Sequence, residues 1–121
     1  MSKQDLGQKV PGADNTYAKT LSQGADMEVQ RVTILNGGNI PLHSHPFGQS
    51  YVVIAGEGAI VTPSGKSAVG PGAAGYFKPE EPHGWESEGG ELVFVSSSAS
   101  EDGIYEANEV SGGKWNIHYH S

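Results

Sequence analysis

The sequence predicts an all-β protein with a single domain. Three observations point there. Eighteen glycines and seven prolines are spread through 121 residues, which reads as turn punctuation between short elements. Between them lie runs rich in β-branched and aromatic residues, such as Ser50-Tyr51-Val52-Val53-Ile54. No long stretch carries the apolar period of an amphipathic helix. The length suits one domain with a modest core.

Taken in order, residues 1–26 are polar and predict an arm with a short edge strand near Thr16-Tyr17-Ala18-Lys19-Thr20. Residues 27–35 (MEVQRVTIL) predict a strand, with β-branched residues at 29, 32, 33 and 34. Asn36-Gly37-Gly38-Asn39 reads as a turn by composition. A strand through Ser50 to Ile54 is expected to break at Gly56-Glu57-Gly58 and resume at Ala59-Ile60-Val61-Thr62. Thr62-Pro63-Ser64-Gly65-Lys66 is a tight hairpin signal, with Pro presetting one turn residue and Gly taking a positive φ. Gly70-Pro71-Gly72 turns the chain again. Residues 91–98 (ELVFVSSS) predict a strand buried on both faces, and residues 101–113 a loop. At the end, Trp115, Ile117 and Tyr119 alternate with His118 and His120. That pattern predicts a terminal strand docked on a sheet edge, with both histidines facing away from the main site.

Composition limits the partners. Net charge is −7, from fourteen acidic and seven basic residues, which argues against nucleic acid and anionic membrane. There is no cysteine, so disulfides and thiolate chemistry are excluded and the redox compartment stays open. The first residues lack the apolar segment of a secretory signal, and no apolar run approaches the ~20 residues of a spanning helix. A cytoplasmic location is the expectation.

The chemistry centres on His43 and His45, followed by Gln49. In a strand, side chains at i and i+2 point to one face, roughly 6.6 Å apart. Two imidazoles so placed can converge on one metal ion; the other reading is a pair of surface histidines in a loop. Pro41 and Pro46 oppose helix here. Gln49 reads either as a further ligand through its amide oxygen or as a neutral polar residue at the edge of the core.

The spacing of Gly37, five residues, His43, one residue, His45, three residues, Gln49, six residues and Gly56 resembles the first motif of the cupin superfamily. The family has Glu where this chain has Gln49. A second motif is similar downstream: Gly72 and His83 match it, while Lys78, Glu80 and Ser87 stand where the family has Pro, Gly and Asn. The resemblance covers roughly residues 27–98, with residues 1–26 as an arm and 99–121 as a segment packing on the barrel. It implies a jelly-roll β-barrel of two antiparallel sheets, often dimeric, with one divalent metal on His43, His45, Gln49 and His83. The metal could be Zn, Ni, Fe, Mn or Cu.

Period two then places Tyr51, Val53 and Ala55 inward with Gln49, and Trp85 and Ser87 inward with His83. Tyr51 is the candidate proton donor; Val53, Ala55, Trp85 and Ser87 are candidate pocket walls. Val52 and Ile54 would face outward and meet a second copy in a homodimer, or a second sheet of the same chain. Three imidazoles and an amide leave the ion its full charge, favouring Lewis-acid chemistry on a small polar, anionic molecule. The expected function is a metal-dependent enzyme of isomerisation, enolisation or elimination type. The alternatives are a ligand-binding or sensing module without turnover, or a dioxygenase. The site is similar to that of cupins that linearise unsaturated uronates.

Overall fold

In the computed structural model, the described residues are 5–24, 26–99, 105–106, 114–115 and 117–120. They form strands, with no helix among them. The strands are β1 (Gln8–Lys9), β2 (Asp14–Gln23), β3 (Met27–Ser44), β4 (Gln49–Thr62) and β5 (Gly65–Val69). They continue as β6 (Ala74–Phe77), β7 (His83–Ala99), β8 (Tyr105–Glu106), β9 (Lys114–Trp115) and β10 (His118–Tyr119). The all-β expectation holds, and the resemblance to a cupin-type barrel holds with it.

β7 occupies the centre of an eight-stranded antiparallel sheet, with β3 along one edge and β4 along the other. Residues directly opposite one another share a face. Gln30, Ser96 and Tyr51 therefore form one cross-strand row, and Val32, Phe94 and Val53 the next. The inward face holds Ile34, Leu92, Val53, Phe94 and Trp85, each at most 2% exposed. Burying each such aliphatic or aromatic side chain contributes about 1.5–3 kcal/mol relative to leaving it in water.

One segment expected to be a turn and one expected to break a strand are bends within continuous strands. β3 runs through Asn36-Gly37-Gly38-Asn39, where its pairing with β7 jumps from Ile34–Leu92 to Asn39–Glu86. β4 likewise runs through Gly56-Glu57-Gly58. Gly56 has φ of +79°, and a Cβ on it would lie 1.9 Å from the Glu91 carbonyl oxygen. Here glycine admits a conformation and a close backbone approach that would stop another residue, so the strand curls instead of ending. β7 is correspondingly longer than expected, starting at His83 and not at residue 91. These irregularities let the long strands wrap the inward side chains as a barrel.

The ends of the chain close one side. β10 pairs antiparallel with β3, His118 opposite Ser44 and Tyr119 opposite His43. The His120 N–H donates to the Leu42 carbonyl at 2.8 Å. The Tyr119 ring lies against Gly12, its hydroxyl donates to the Pro11 carbonyl, and Ile117 packs against the core. A terminal strand on a sheet edge is thus present at residues 118–119. His120 is not remote from the histidine pair, however: its Nε2 is 2.9 Å from Ser44 Oγ. β9 pairs with β8 in a separate two-stranded sheet. The expected loop at residues 101–113 lies outside the described residues except at Tyr105–Glu106, and the expected facing of Trp115 also lies outside them. Among the described residues, no helix is long and apolar enough to cross a membrane.

Gly56→Ala tests the bend. The added Cβ meets backbone, which cannot rotate away, and the φ is left-handed. Unfolding free energy should fall by about 2–4 kcal/mol, against less than ~1 kcal/mol for Gly70→Ala, whose Cβ meets nothing within 4 Å. Urea denaturation of the two variants checks this.

Candidate metal centre

The site is assembled where β3 ends, β4 begins and β7 begins. His43 on β3 lies directly opposite His83 on β7. His45 follows His43 at the same-face spacing, just past the end of β3. All three rings are inside the protein, at 3%, 3% and 1% exposure for His43, His45 and His83. His43 has its ring centroid 4.7 Å from that of His45 and 4.3 Å from that of His83. His45 and His83 are 5.3 Å apart by the same measure. One nitrogen from each ring falls within 4.8 Å of the other two, so the triad could hold a metal ion.

Hydrogen bonds set the tautomers of two of the rings. His43 Nδ1 is 2.8 Å from the Pro41 carbonyl oxygen, and His83 Nδ1 is 2.8 Å from that of Glu81. A carbonyl only accepts, so Nδ1 carries the proton in both and Nε2 keeps its lone pair. His83 Nε2 is buried and has no hydrogen-bond partner. An orphaned buried acceptor costs about 1–3 kcal/mol, and a bound cation would relieve that cost. Phe77 stacks on the His83 ring at 3.8 Å, and Tyr51 stacks on Phe77 at 5.0 Å, which fixes the ring plane from behind. His45 stacks on Phe47 at 5.1 Å.

Burial, together with the charges of the neighbouring rings His83 and His45, lowers the pKa of His43 to about 2. Burial likewise lowers that of His83 to about 4 against the opposing pull of its Glu81 hydrogen bond. Both rings are neutral at pH 7, the form that ligates metal. The donor set of neutral imidazoles suits Zn, Ni, Cu or Fe.

Gln49 opens β4, is 5% exposed, and lines a cavity of about 30 Å³ with His43 and His45. Trp85 also lines it, its ring stacked on Phe94 at 3.9 Å. Ile117 forms part of the same wall. Among the described residues around this cavity, Tyr51, Val53, Ala55 and Ser87 are not lining residues. Tyr51 faces inward but is layered behind Phe77; burial and the Glu81 charge raise its pKa, so the phenol stays protonated. Val53 is core, at 1% exposure. The alternation that would carry on to Ala55 is broken by a register shift: Ala55 pairs with Val93, on the sheet face away from Phe94 and Leu92. Ser87 Oγ donates to the carbonyls of Leu35 and Gly38, at 3.0 and 3.3 Å, and ties β7 to the bend in β3.

One polar cavity residue was not anticipated. Gln30 lines the same space and is 2% exposed. Its signal was present in the run Glu28-Val29-Gln30-Arg31-Val32-Thr33-Ile34, where polar Glu28 and Gln30 occupy the face that Val32 and Ile34 bury.

The histidines predict an acid limit for the metal-free protein. Unfolded histidine binds a proton below pH ~6.5, whereas folded His43 and His83 do so only near 2 and 4. The unfolded state then holds more protons, and stability falls as pH drops from ~6.5 toward 4, by up to ~1.4 kcal/mol per pH unit for each ring. Above ~6.5 these rings contribute no slope. Chemical denaturation of chelator-treated protein across pH 4–8 checks the sign, and His83→Leu should flatten the acid limb.

The chain matches the cupin domain family over residues 30–97, more than half its length. No curated protein sequence matches it. Among solved structures it is similar to the polyketide cyclase RemF from Streptomyces resistomycificus, at 25% identity and a TM-score of 0.72, covering 82% of this chain and 80% of that one. It is also similar to a conserved protein with a double-stranded β-helix domain from Klebsiella pneumoniae, at 20% identity and a TM-score of 0.69, covering 96% and 93% of the two chains. KdgF from Halomonas sp. is similar at 18% identity and a TM-score of 0.70, covering 80% and 88%. The last two likenesses bear on the fold alone. With the family match spanning both histidine segments and the strands between them, the chain belongs to the cupin domain family.

Proposed function

We propose that this chain is a metal-dependent enzyme in which His43, His45, Gln49 and His83 hold one divalent ion, and that it acts on a small polar, anionic molecule bearing a carbonyl. The observation that carries the reading is the buried histidine triad, with Nδ1 of His43 and His83 committed to carbonyls and Nε2 of His83 left without a partner. When bound, the metal would act as a Lewis acid on that carbonyl or carboxylate. The chain's own residues keep the ligand rings neutral, hold their planes through Phe77 and Phe47, and exclude bulk water with Trp85 and Ile117. Tyr51 acts as a positioning residue, backing His83 through Phe77. The reaction class is enolisation, isomerisation or elimination. The similarity to a polyketide cyclase supports carbonyl chemistry.

A second reading, a module that holds metal and ligand without turnover, draws on a different observation. Among the described residues lining the cavity, the titratable side chains are His43 and His45, which are themselves proposed ligands. Deuterium exchange separates the two. Purified protein should carry one divalent ion per chain by elemental analysis, and should exchange the α-protons of small keto acids or sugar acids in deuterated buffer. Stoichiometric metal without exchange across such a panel would favour the binding module.

Two variants extend this reading. His43→Ala with His45→Ala should lose the metal and retain a strand-dominated circular dichroism spectrum. Gln49→Glu should retain the metal and shift its preference among Zn, Ni and Mn, because it adds a negative ligand. We also propose a homodimer through the outer face of β4, where Val52 and Ile54 are 37% and 49% exposed. Light scattering at micromolar concentration should report a dimer, and Val52→Asp with Ile54→Asp a monomer.

A further inference from the structure

Inside the barrel, one cross-strand row holds more polar atoms than the fold needs. Gln30 on β3 lies directly opposite Ser96 on β7. The two residues are 2% and 1% exposed. Gln30 Oε1 and Ser96 Oγ are both buried and neither has a hydrogen-bond partner. Buried polar groups are normally satisfied, and two orphans facing each other across one ladder step call for a physical reason.

The orientation of the Gln30 amide is set from behind. Its Nε2 donates to Glu28 Oε2 at 3.2 Å, and that same oxygen accepts from Thr20 Oγ1 at 2.8 Å. Glu28 is itself 2% exposed. With the amide nitrogen turned to an accepting carboxylate oxygen, the carbonyl end of the amide is the end left over. Gln30 also lines the cavity shared with His43, His45 and Gln49. That cavity, about 30 Å³, matches the share of liquid volume of one water molecule. It has room for a hydroxyl-sized group of a ligand whose remainder lies elsewhere.

We propose that Gln30 is a specificity-determining residue that accepts a hydrogen bond from a hydroxyl of the bound molecule. A hydroxyl donates, so one such group in the cavity satisfies Gln30 Oε1. The ligand class is then a hydroxylated carboxylate or carbonyl compound, the hydroxyl next to the group that meets the metal. This inference rests on the proposed small-molecule site and narrows it: a site with a buried acceptor discriminates against the analogue that lacks the donor.

The test uses glycolate and acetate, which differ by one hydroxyl, and isothermal calorimetry on full-length protein with its metal content measured. Wild type should bind glycolate about tenfold or more tighter than acetate, the gain expected of one buried hydrogen bond. Gln30→Leu should bring the ratio close to one, leaving acetate affinity and metal content unchanged. Gln30→Met serves as a second variant should the first fail to fold. The inference is overturned if wild type shows no glycolate preference at full metal content, or if the Gln30 variants keep it. A crystal of the glycolate complex with an ordered water alone on Gln30 Oε1 would also overturn it. Protein that takes up no metal would sink the metal reading instead. Glycolate and acetate are then compared on that metal-free protein, where equal binding or none overturns Gln30 as well.

Discussion

β7 is hydrogen-bonded along both edges, to β3 on one side and to β4 on the other, from its first residue almost to its last. His43, His83, Trp85, Gln30 and Ser96 take their places from that double ladder. It sets His83 against His43 at one end and Ser96 between Gln30 and Tyr51 farther along. It also fixes which face each side chain takes, since a slip of one residue would turn His83, Trp85 and Phe94 out of the barrel together. The site is therefore built mainly on strands, with His43 and His83 within them and His45 one residue past β3. Its precision is that of a central strand, which is the most constrained position a sheet offers.

A dry interior that contains three imidazoles has one electrostatic solution. Charged rings so close together would repel, and burial alone already disfavours the charge. Neutral rings can be buried if each finds a partner, and the carbonyls of Pro41 and Glu81 supply one to His43 and His83. Both carbonyls come from the residue two before the histidine. The orienting partner is thus local to each histidine, and the histidine pair across the strands is long-range.

Much of this was legible in the chain. The His43–His45 spacing marks one strand face because strand geometry has period two, and the burial of both rings agrees. The inward positions of Gln49 and Val53 follow from the same period. The rule failed at Ala55, where a bulge next to Gly56 shifts the register, because nothing in local alternation reports on the ladder partner. The glycines at residues 37–38 were misread as a turn and those at 56 and 58 as a strand break. Composition identifies backbone freedom, and freedom serves a bend within a long strand as well as a reversal. His83 was reachable only through family spacing, since its pairing with His43 spans forty residues. Gln30 carried a visible sign, a polar residue on an apolar face, but only the cavity shows why that matters.

β2 pairs with β3 as far as Asn39, and beyond it the histidine-bearing end of β3 would present a bare row of backbone donors and acceptors. β10 occupies that row at His43 and Ser44. Exposed strand edges are templates for joining to other chains, which leads to aggregation and domain swapping. The terminal strand accordingly acts as a guard against self-association at the place where His43 and Ser44 sit. Its presence ties the colloidal behaviour of the whole protein to a few residues at the end of the chain.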